Sequence, residues 1–369
     1  MEYGAHERYL LWLSFVTECY PARYYGLLDT YKGGAEEVFQ AAATNKLDVC
    51  AHCGAAHIKN ICEKASEGYI DRCLEYMRKK HIDAVSFGSI GYPILLSEIS
   101  DPPPVLFVRG MIKMNIQMPI AVIGSRKCTD YGKRTAELLS RELSERGACI
   151  ISGLAYGIDC IASKSALDAK DNEYPTVAVL GSGVDVIYPK SNARLYSAIV
   201  ERGAVISEFL PGAQPERYNF PRRNRIISGI SRGVVVVEAA KTSGTSITVG
   251  HALDQGRDVF AVPGRINDQM SEGTNALIAQ GHAKCVLCTQ DIIDEYGGEF
   301  KRKDAAMRID ETVLNYEQTL LIRLLTAGER SFDELCELTG LSAAKLNSTL
   351  TGMEFSGIIK QSPGRMYEL

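Results

Sequence analysis

Between Ile120 and Gly264 the chain repeats one pattern: a short run rich in valine and isoleucine, a glycine or serine loop, and usually a segment of helical periodicity. The runs are IAVIG (Ile120 to Gly124), CIISG (Cys149 to Gly153), TVAVLG (Thr176 to Gly181), AVISE (Ala204 to Glu208), GVVVVEA (Gly233 to Ala239) and DVFAVPG (Asp258 to Gly264). β-Branched side chains pack well on a pleated sheet, and near-continuous runs such as VVVV suit strands covered on both faces. Parallel neighbours need a crossover, which a helix supplies along with the cover. Ala136, Leu139 and Leu143 mark the apolar stripe of one such helix, which Gly147 is expected to end. The pattern therefore predicts an α/β fold with a largely parallel sheet.

Open sheets of this kind bind ligands outside the carboxyl ends of their strands. Those ends carry Gly124-Ser125-Arg126, Ser152-Gly153-Leu154-Ala155, Gly181-Ser182-Gly183 and, after the fifth run, Ser243-Gly244-Thr245-Ser246. Small residues let backbone N–H groups approach an anion, and hydroxyls add donors. The stretch FPRRNRIISG, Phe220 to Gly229, places three arginines within four positions behind an aromatic residue. A guanidinium fork matches phosphate oxygens, and an aromatic face stacks on a base. Ile226, Ile227 and Ile230 suit a buried helix face, so the arginines are expected at or just before a helix start, where the dipole adds to the attraction. A solvated basic turn is the plain alternative. Four small-residue loops on one edge, with Arg126 inside one, favour a phosphate-binding crevice instead. Neutralising the arginines is then expected to weaken binding and leave the fold intact. No Gly-x-Gly-x-x-Gly follows the first strand and no Walker lysine motif is present, so hydride transfer and P-loop hydrolysis lose support.

A chain of 369 residues allows a substantial core and small accessory domains. No stretch is apolar for long enough to span a bilayer, and the start has no basic leader ahead of a clean apolar stretch, so a cytoplasmic protein without membrane contact is expected. Eleven scattered cysteines agree with a reducing compartment. Two Cys-x-x-Cys pairs, Cys50/Cys53 and Cys285/Cys288, raise the question of zinc, with His52, His57, Cys62 and His282 nearby. A structural site needs two properly spaced ligand pairs, and the first pair falls in a helix–turn–helix pattern, so buried free thiols account better for both. No metal and no cofactor are expected.

The succession YPILLSEISDPPPVLFVRG, AVIGSRKCTDYG, ISGLAYGIDCIAS, VAVLGSGVDVIYPKSN, ISEFLPG, FPRRNRIISG, EAAKTSGTSIT, VPG and EGTNALIAQGH resembles the DNA-processing protein A family, also called Smf, over roughly Phe87 to Lys284. The resemblance implies an extended Rossmann-like core that binds single-stranded DNA without evident enzymatic activity, forms a homodimer, and loads RecA recombinase during natural transformation. It also implies that Arg126, Lys190, Phe220, Arg222, Arg223 and Arg225 line the DNA pocket; the element Arg222-Arg223-Asn224-Arg225 fits the family's Arg-Asn-Arg. Ile158-Asp159-Cys160-Ile161-Ala162-Ser163 departs from it where relatives commonly have Ala-Ala-His. On the residues alone, glycine loops and arginines would track phosphates while Phe220, with Tyr188 or Tyr218, stacks on any base.

The flanks give four expected regions: a helical domain over 1–80, resembling the sterile-alpha-motif-like or helix-hairpin-helix-like leader of that family; the Rossmann-like domain over 81–300; a linker at 301–312; and a winged-helix-like domain over 313–369, with a wing in GIIKQSPGRMYEL. From Asp310 onward nine acidic residues face five basic ones, while the remainder balances at 36 of each. The expected recognition helix, SAAKLNSTLTGMEFSG, offers only Lys345, so a protein contact is expected of it rather than duplex DNA. Two other functions stay open: a nucleotide phosphoribohydrolase or lysine-decarboxylase-like enzyme, whose Gly-Gly-x-Gly-Thr-x-x-Glu loop is replaced here by Thr242-Ser243-Gly244-Thr245-Ser246-Ile247-Thr248, and a pure assembly adaptor.

Overall fold

The computed structural model describes residues 3–300 and 316–368, save positions 33, 51, 90, 114, 170, 298, 299, 327, 356, 357 and 363. Internal contacts divide the chain into two compact units, 1–301 and 302–369.

The first unit opens with five helices, α1 (Ala5–Val16), α2 (Pro21–Thr30), α3 (Ala35–Ala43), α4 (Ala55–Glu63) and α5 (Glu67–Lys79). They close around Trp12, Leu13, Leu27, Val38, Ile61 and Ile70. The Trp12 ring meets Phe39 edge-on at 5.0 Å, and its indole N–H donates to the Lys64 carbonyl at 3.0 Å, so the polar edge of a buried ring is satisfied. This bundle continues into the rest of the unit: Leu11, Cys19 and Met77 pack with Val105, Phe107 and Val184.

The sheet follows, built from β1 (Asp83–Ser86), β2 (Val105–Gly110), β3 (Pro119–Ile123), β4 (Cys149–Ser152), β5 (Thr176–Val179), β6 (Ala204–Ser207), β7 (Gly233–Val236), β8 (Asp258–Ala261) and β9 (Lys284–Cys285). Their order is β1-β2-β6-β5-β4-β3-β7-β8-β9, parallel from β6 to β9, with β2 and β1 antiparallel at one edge. All six valine-rich runs are strands of this sheet.

Its connecting helices are α6 (Ile94–Ser97), α7 (Asp130–Glu145), α8 (Ile158–Leu167), α9 (Ala193–Arg202), α10 (Asn219–Gly229), α11 (Thr245–Asp254), α12 (Glu272–Ala279) and α13 (Thr289–Glu295). Successive strand side chains alternate between faces, which splits each run between two cores. Ala121, Ile123, Ile151, Val234 and Val236 meet Ile226, Ile227 and Ile230 of α10 on one face. Ile120, Val122, Ile150 and Val235 meet Ala136, Leu139 and Leu143 of α7 on the other. Each such valine, leucine or isoleucine stabilises by roughly 1.5–3 kcal/mol relative to exposure. From β3 the chain winds through β4, β5 and β6, then returns to β7, β8 and β9 on the opposite side. The gap between β3 and β7 is therefore a topological switch point.

The second unit holds α14 (Tyr316–Thr326), β10 (Arg330–Ser331), α15 (Phe332–Thr339), α16 (Ala343–Phe355), β11 (Lys360–Ser362) and β12 (Met366–Glu368), the strands ordered β10-β12-β11. This is a winged-helix plan. Ser331 and Glu334 cap α15 reciprocally, each receiving the other's backbone N–H.

Candidate nucleic-acid interface

Strands β5, β4, β3 and β7 are consecutive neighbours, so the four small-residue loops stand side by side on one edge. Gly157 helps to bring them close. Its φ of +74° suits glycine, and a Cβ there would fall 2.2 Å from the Ser125 carbonyl oxygen.

Helix α10 begins at Asn219, so Arg222, Arg223 and Arg225 lie in its first two turns rather than ahead of it. Pro221 is compatible with that start because first-turn N–H groups have no intrahelical partner. The half-buried Phe220 ring packs on the loop after β5, where a Cβ at Gly181 would fall 2.9 Å from it. Asn219, buried, donates to the Gly181 carbonyl at 3.0 Å and holds the two segments together. The exposed Arg126 guanidinium stands 5.4 Å from the centre of the Phe220 ring, and the Tyr188 ring lies 5.7 Å away on a loop that continues to the exposed Lys190. Arg126 and Lys190 form no ion pair among the described residues.

Three arginines read from the sequence as ligand donors are spent inside the protein. Arg223 is buried and donates to the Gly153 carbonyl at 2.9 Å and to the Val179 carbonyl. Burial pulls its guanidinium down to about 10, against the opposing charge of the buried Asp159. Asp159 accepts the Gly153 N–H at 3.2 Å, and burial pushes its carboxyl up. Arg225, also buried, reaches Glu208 at 2.7 Å and Asp101 at 2.8 Å. Arg222 reaches the same Glu208 oxygen at 2.9 Å, the Cys19 carbonyl at 2.8 Å, and the Tyr20 ring at 4.5 Å, joining α10 to the turn after α1. Asn224 accepts from Arg223 at 3.2 Å. The expectation that these arginines can be neutralised without touching the fold is therefore corrected for Arg223 and Arg225. Removing Arg225 would take one of two guanidinium partners from the buried Glu208, and removing Arg223 would take the neighbouring positive charge from the buried Asp159.

The hydroxyls are also committed. Ser152 donates to the Val122 carbonyl at 2.8 Å and Ser182 to the Val186 carbonyl at 2.9 Å. Ser125 Oγ accepts the Lys127 N–H at 3.1 Å, and the Gly183 N–H donates to the Ala213 carbonyl at 2.9 Å. The N–H groups of Arg126, Gly181 and Ser182 have no partner among the described contacts, which leaves backbone donors beside the Phe220 ring. Gly124 packs against Ile158 and the Glu238 carbonyl. Ser243, Gly244 and Thr245 form the turn into α11 on the neighbouring strand, with Thr245 buried.

Glu208 and Glu238 are buried positioning residues that sequence reasoning passed over. Glu208 is fully buried beneath the arginines, and burial pushes its carboxyl up. Glu238 accepts the Thr129 N–H at 2.9 Å and its hydroxyl at 2.5 Å, anchoring the loop that carries Arg126. Both close an apolar run, in AVISE and VVVVE, and a carboxylate ending such a run is the signal that could have found them. A cavity of about 660 Å³ opens between the start of α7 and the loop after β8, lined by Thr129, Tyr131, Pro263 and Arg265. The Cys-x-x-Cys pairs hold no metal-ligating cluster among the described residues. Cys53 is buried and Cys50 and Cys285 are half-buried, but Cys288 is exposed, which corrects the expectation of buried thiols at that position.

The fold and this edge define a largely parallel α/β protein with small-residue loops at a topological switch point and an arginine held over an aromatic ring. The profile of the family described as DNA recombination-mediator protein A matches residues 83–297, and that of the DprA winged helix domain matches residues 310–365. The chain belongs to the DNA recombination-mediator protein A family. It is 46% identical over 205 residues to the DNA processing protein DprA of Streptococcus pneumoniae, covering 56% of this chain and 71% of that one. The corresponding Bacillus subtilis protein is 39% identical over 242 residues, covering 65% and 80%. Among solved structures, DNA processing protein A of S. pneumoniae superposes with a TM-score of 0.66 at 33% identity, covering 80% of this chain and 99% of that one. DNA processing protein A of Helicobacter pylori, whose structure is described as revealing a single-stranded DNA binding mode, superposes with a TM-score of 0.53 at 30% identity, covering 59% and 97%. No helix among the described residues is long and apolar enough to cross a membrane.

Proposed function

We propose that the carboxyl edge of β5, β4, β3 and β7 binds single-stranded DNA, and that the chain acts as a non-catalytic recombination mediator. Family membership and the binding mode ascribed to the H. pylori relative support this reading. The observation that carries it is the Phe220 ring, propped by Gly181 and flanked by Arg126 and unpartnered backbone N–H groups. Bases stack on the ring, Arg126 and Lys190 meet phosphates, and the loops Gly124-Ser125-Arg126, Ser152-Gly153, Gly181-Ser182-Gly183 and Ser243-Gly244-Thr245 follow the backbone. Arg222, Arg223, Asn224 and Arg225 shape the floor. Stacking accepts every base, so sequence preference is weak. RecA recombinase is the proposed protein partner, natural transformation the proposed setting, a homodimer the proposed assembly and the cytoplasm the proposed location. The enzyme alternative is disfavoured by the missing Gly-Gly-x-Gly-Thr-x-x-Glu loop.

Titrating matched single- and double-stranded oligonucleotides against salt tests the reading. With Arg126 and Lys190 as the only phosphate contacts, log K falls with log salt at roughly −0.7 × 2, or about −1.4. Five contacts, counting the three helix arginines, would give about −3.5. Salt-independent affinity, or equal affinity for duplex, refutes the proposal.

A further inference from the structure

The turn between α3 and α4 brings two thiols together. Cys50 and Cys53 face each other as an isolated antiparallel bridge, and the Cys53 N–H donates to the Cys50 carbonyl at 3.0 Å. Residues directly opposed in such a bridge have Cα atoms about 4.5–5.5 Å apart, inside the roughly 4.4–6.8 Å window of a disulfide. The neighbouring Cys50 thiol adds to burial in raising that of Cys53. Cys50 is half-buried, whereas Cys53 is sealed in the core of the helical bundle. Cys285 and Cys288 share the spacing without the pairing: Cys285 ends β9, while Cys288 caps α13, its N–H donating to the Asp291 carboxylate at 3.0 Å and its carbonyl accepting the Asp291 N–H at 3.2 Å. Spacing alone therefore does not make the pair.

We propose that Cys50 and Cys53 form a reversible thiol–disulfide site that reacts with low-molecular-weight disulfides. The Cys50 thiolate, having lost its proton to solvent, attacks one sulfur of the small disulfide, forming a mixed disulfide and expelling one small thiolate. Cys53 Sγ, losing its proton in turn, attacks Cys50 Sγ; the protein S–S bond forms and the second small thiolate leaves. The two protein thiols give up two electrons and two protons, and the small disulfide becomes two thiols. Burial holds the Cys53 thiol up at about 11, so the reagent is met first at Cys50. The order of attack thus follows from exposure.

Trypsin tests this cleanly, because cleavage after Lys46 and Lys59 releases LDVCAHCGAAHIK with these two cysteines alone, and cleavage after Lys284 and Lys301 releases a peptide holding only Cys285 and Cys288. The reduced full chain is incubated in graded glutathione disulfide buffers, quenched with an alkylating agent and digested. The expected result is a first peptide lighter by two hydrogens and not alkylated, while the second carries glutathione at Cys288. In Cys53→Ser the glutathione should remain on Cys50. A first peptide that keeps two free thiols, or two glutathiones, once Cys288 has reacted overturns the proposal, as does an unmodified Cys50 in Cys53→Ser.

Discussion

Arg126 and Arg225 carry the same side chain and do opposite work. Arg225 is buried against Glu208 and Asp101, whereas Arg126 is exposed over the Phe220 ring with no ion pair among the described residues. Removing one member of a buried ion pair leaves a stranded charge and costs about 3–5 kcal/mol. Arg225→Ala is therefore expected to lower Tm strongly, and Arg126→Ala to weaken DNA binding with Tm nearly unchanged; thermal melts beside titrations of both variants check the split. Phe220→Leu keeps apolar bulk and removes the stacking face, so it should lose roughly 1–3 kcal/mol of single-strand affinity with only a small fall in Tm. A strongly destabilised Phe220→Leu whose folded fraction binds normally would make the ring a packing residue. The sequence announced the arginines but not their destinations. Glu208 and Asp159 lie 14 and 64 positions from Arg222 and Arg223 (222 − 208 and 223 − 159), and only strand pairing brings them beneath α10.

At the level of elements, the strands were legible because a valine-rich run and its glycine loop are local signals, and the helix over Ala136 to Leu143 was legible because its stripe repeats every turn. Strands β1 and β2, which pair antiparallel at the sheet edge, are not among the runs read from the sequence. The arginines, expected at or just before a helix start, fall within the first two turns of α10, where Pro221 is tolerated. The element that positions the ring is the loop after β5. A Cβ at Gly181 would fall 2.9 Å from Phe220, so Gly181→Ala must push the ring off its seat. We expect that variant to lose single-strand affinity by a margin comparable to Phe220→Leu, measured in the same titration. The helical leader behaves as part of the unit rather than as an appendage. Leu11, Cys19 and Met77 cover Phe107 and Val105, and the Cys19 carbonyl receives Arg222. A chain starting near residue 81 would bare that apolar edge, and should melt lower or aggregate relative to the full chain.

Across the whole molecule, charge separates the two units where pattern alone would equate them. The second unit follows a winged-helix plan, yet its segment from Asp310 carries nine acidic and five basic residues. Lys345, the single basic residue of α16, is paired with Glu317 at 3.2 Å. Phosphate contacts supply most sequence-independent affinity for duplex, and a net negative unit with its one helix lysine engaged has little to offer. The small-residue loops proposed to follow the DNA backbone, Arg126, Lys190 and Phe220 all belong to the first unit. A chain ending at Lys303 is accordingly expected to bind single strands with nearly the affinity of the full chain, while its self-association or engagement of protein partners changes. Sedimentation beside the oligonucleotide titration reads both quantities. If truncation instead abolishes a tight duplex affinity present in the full chain, the second unit is a DNA-binding winged helix and the charge argument fails.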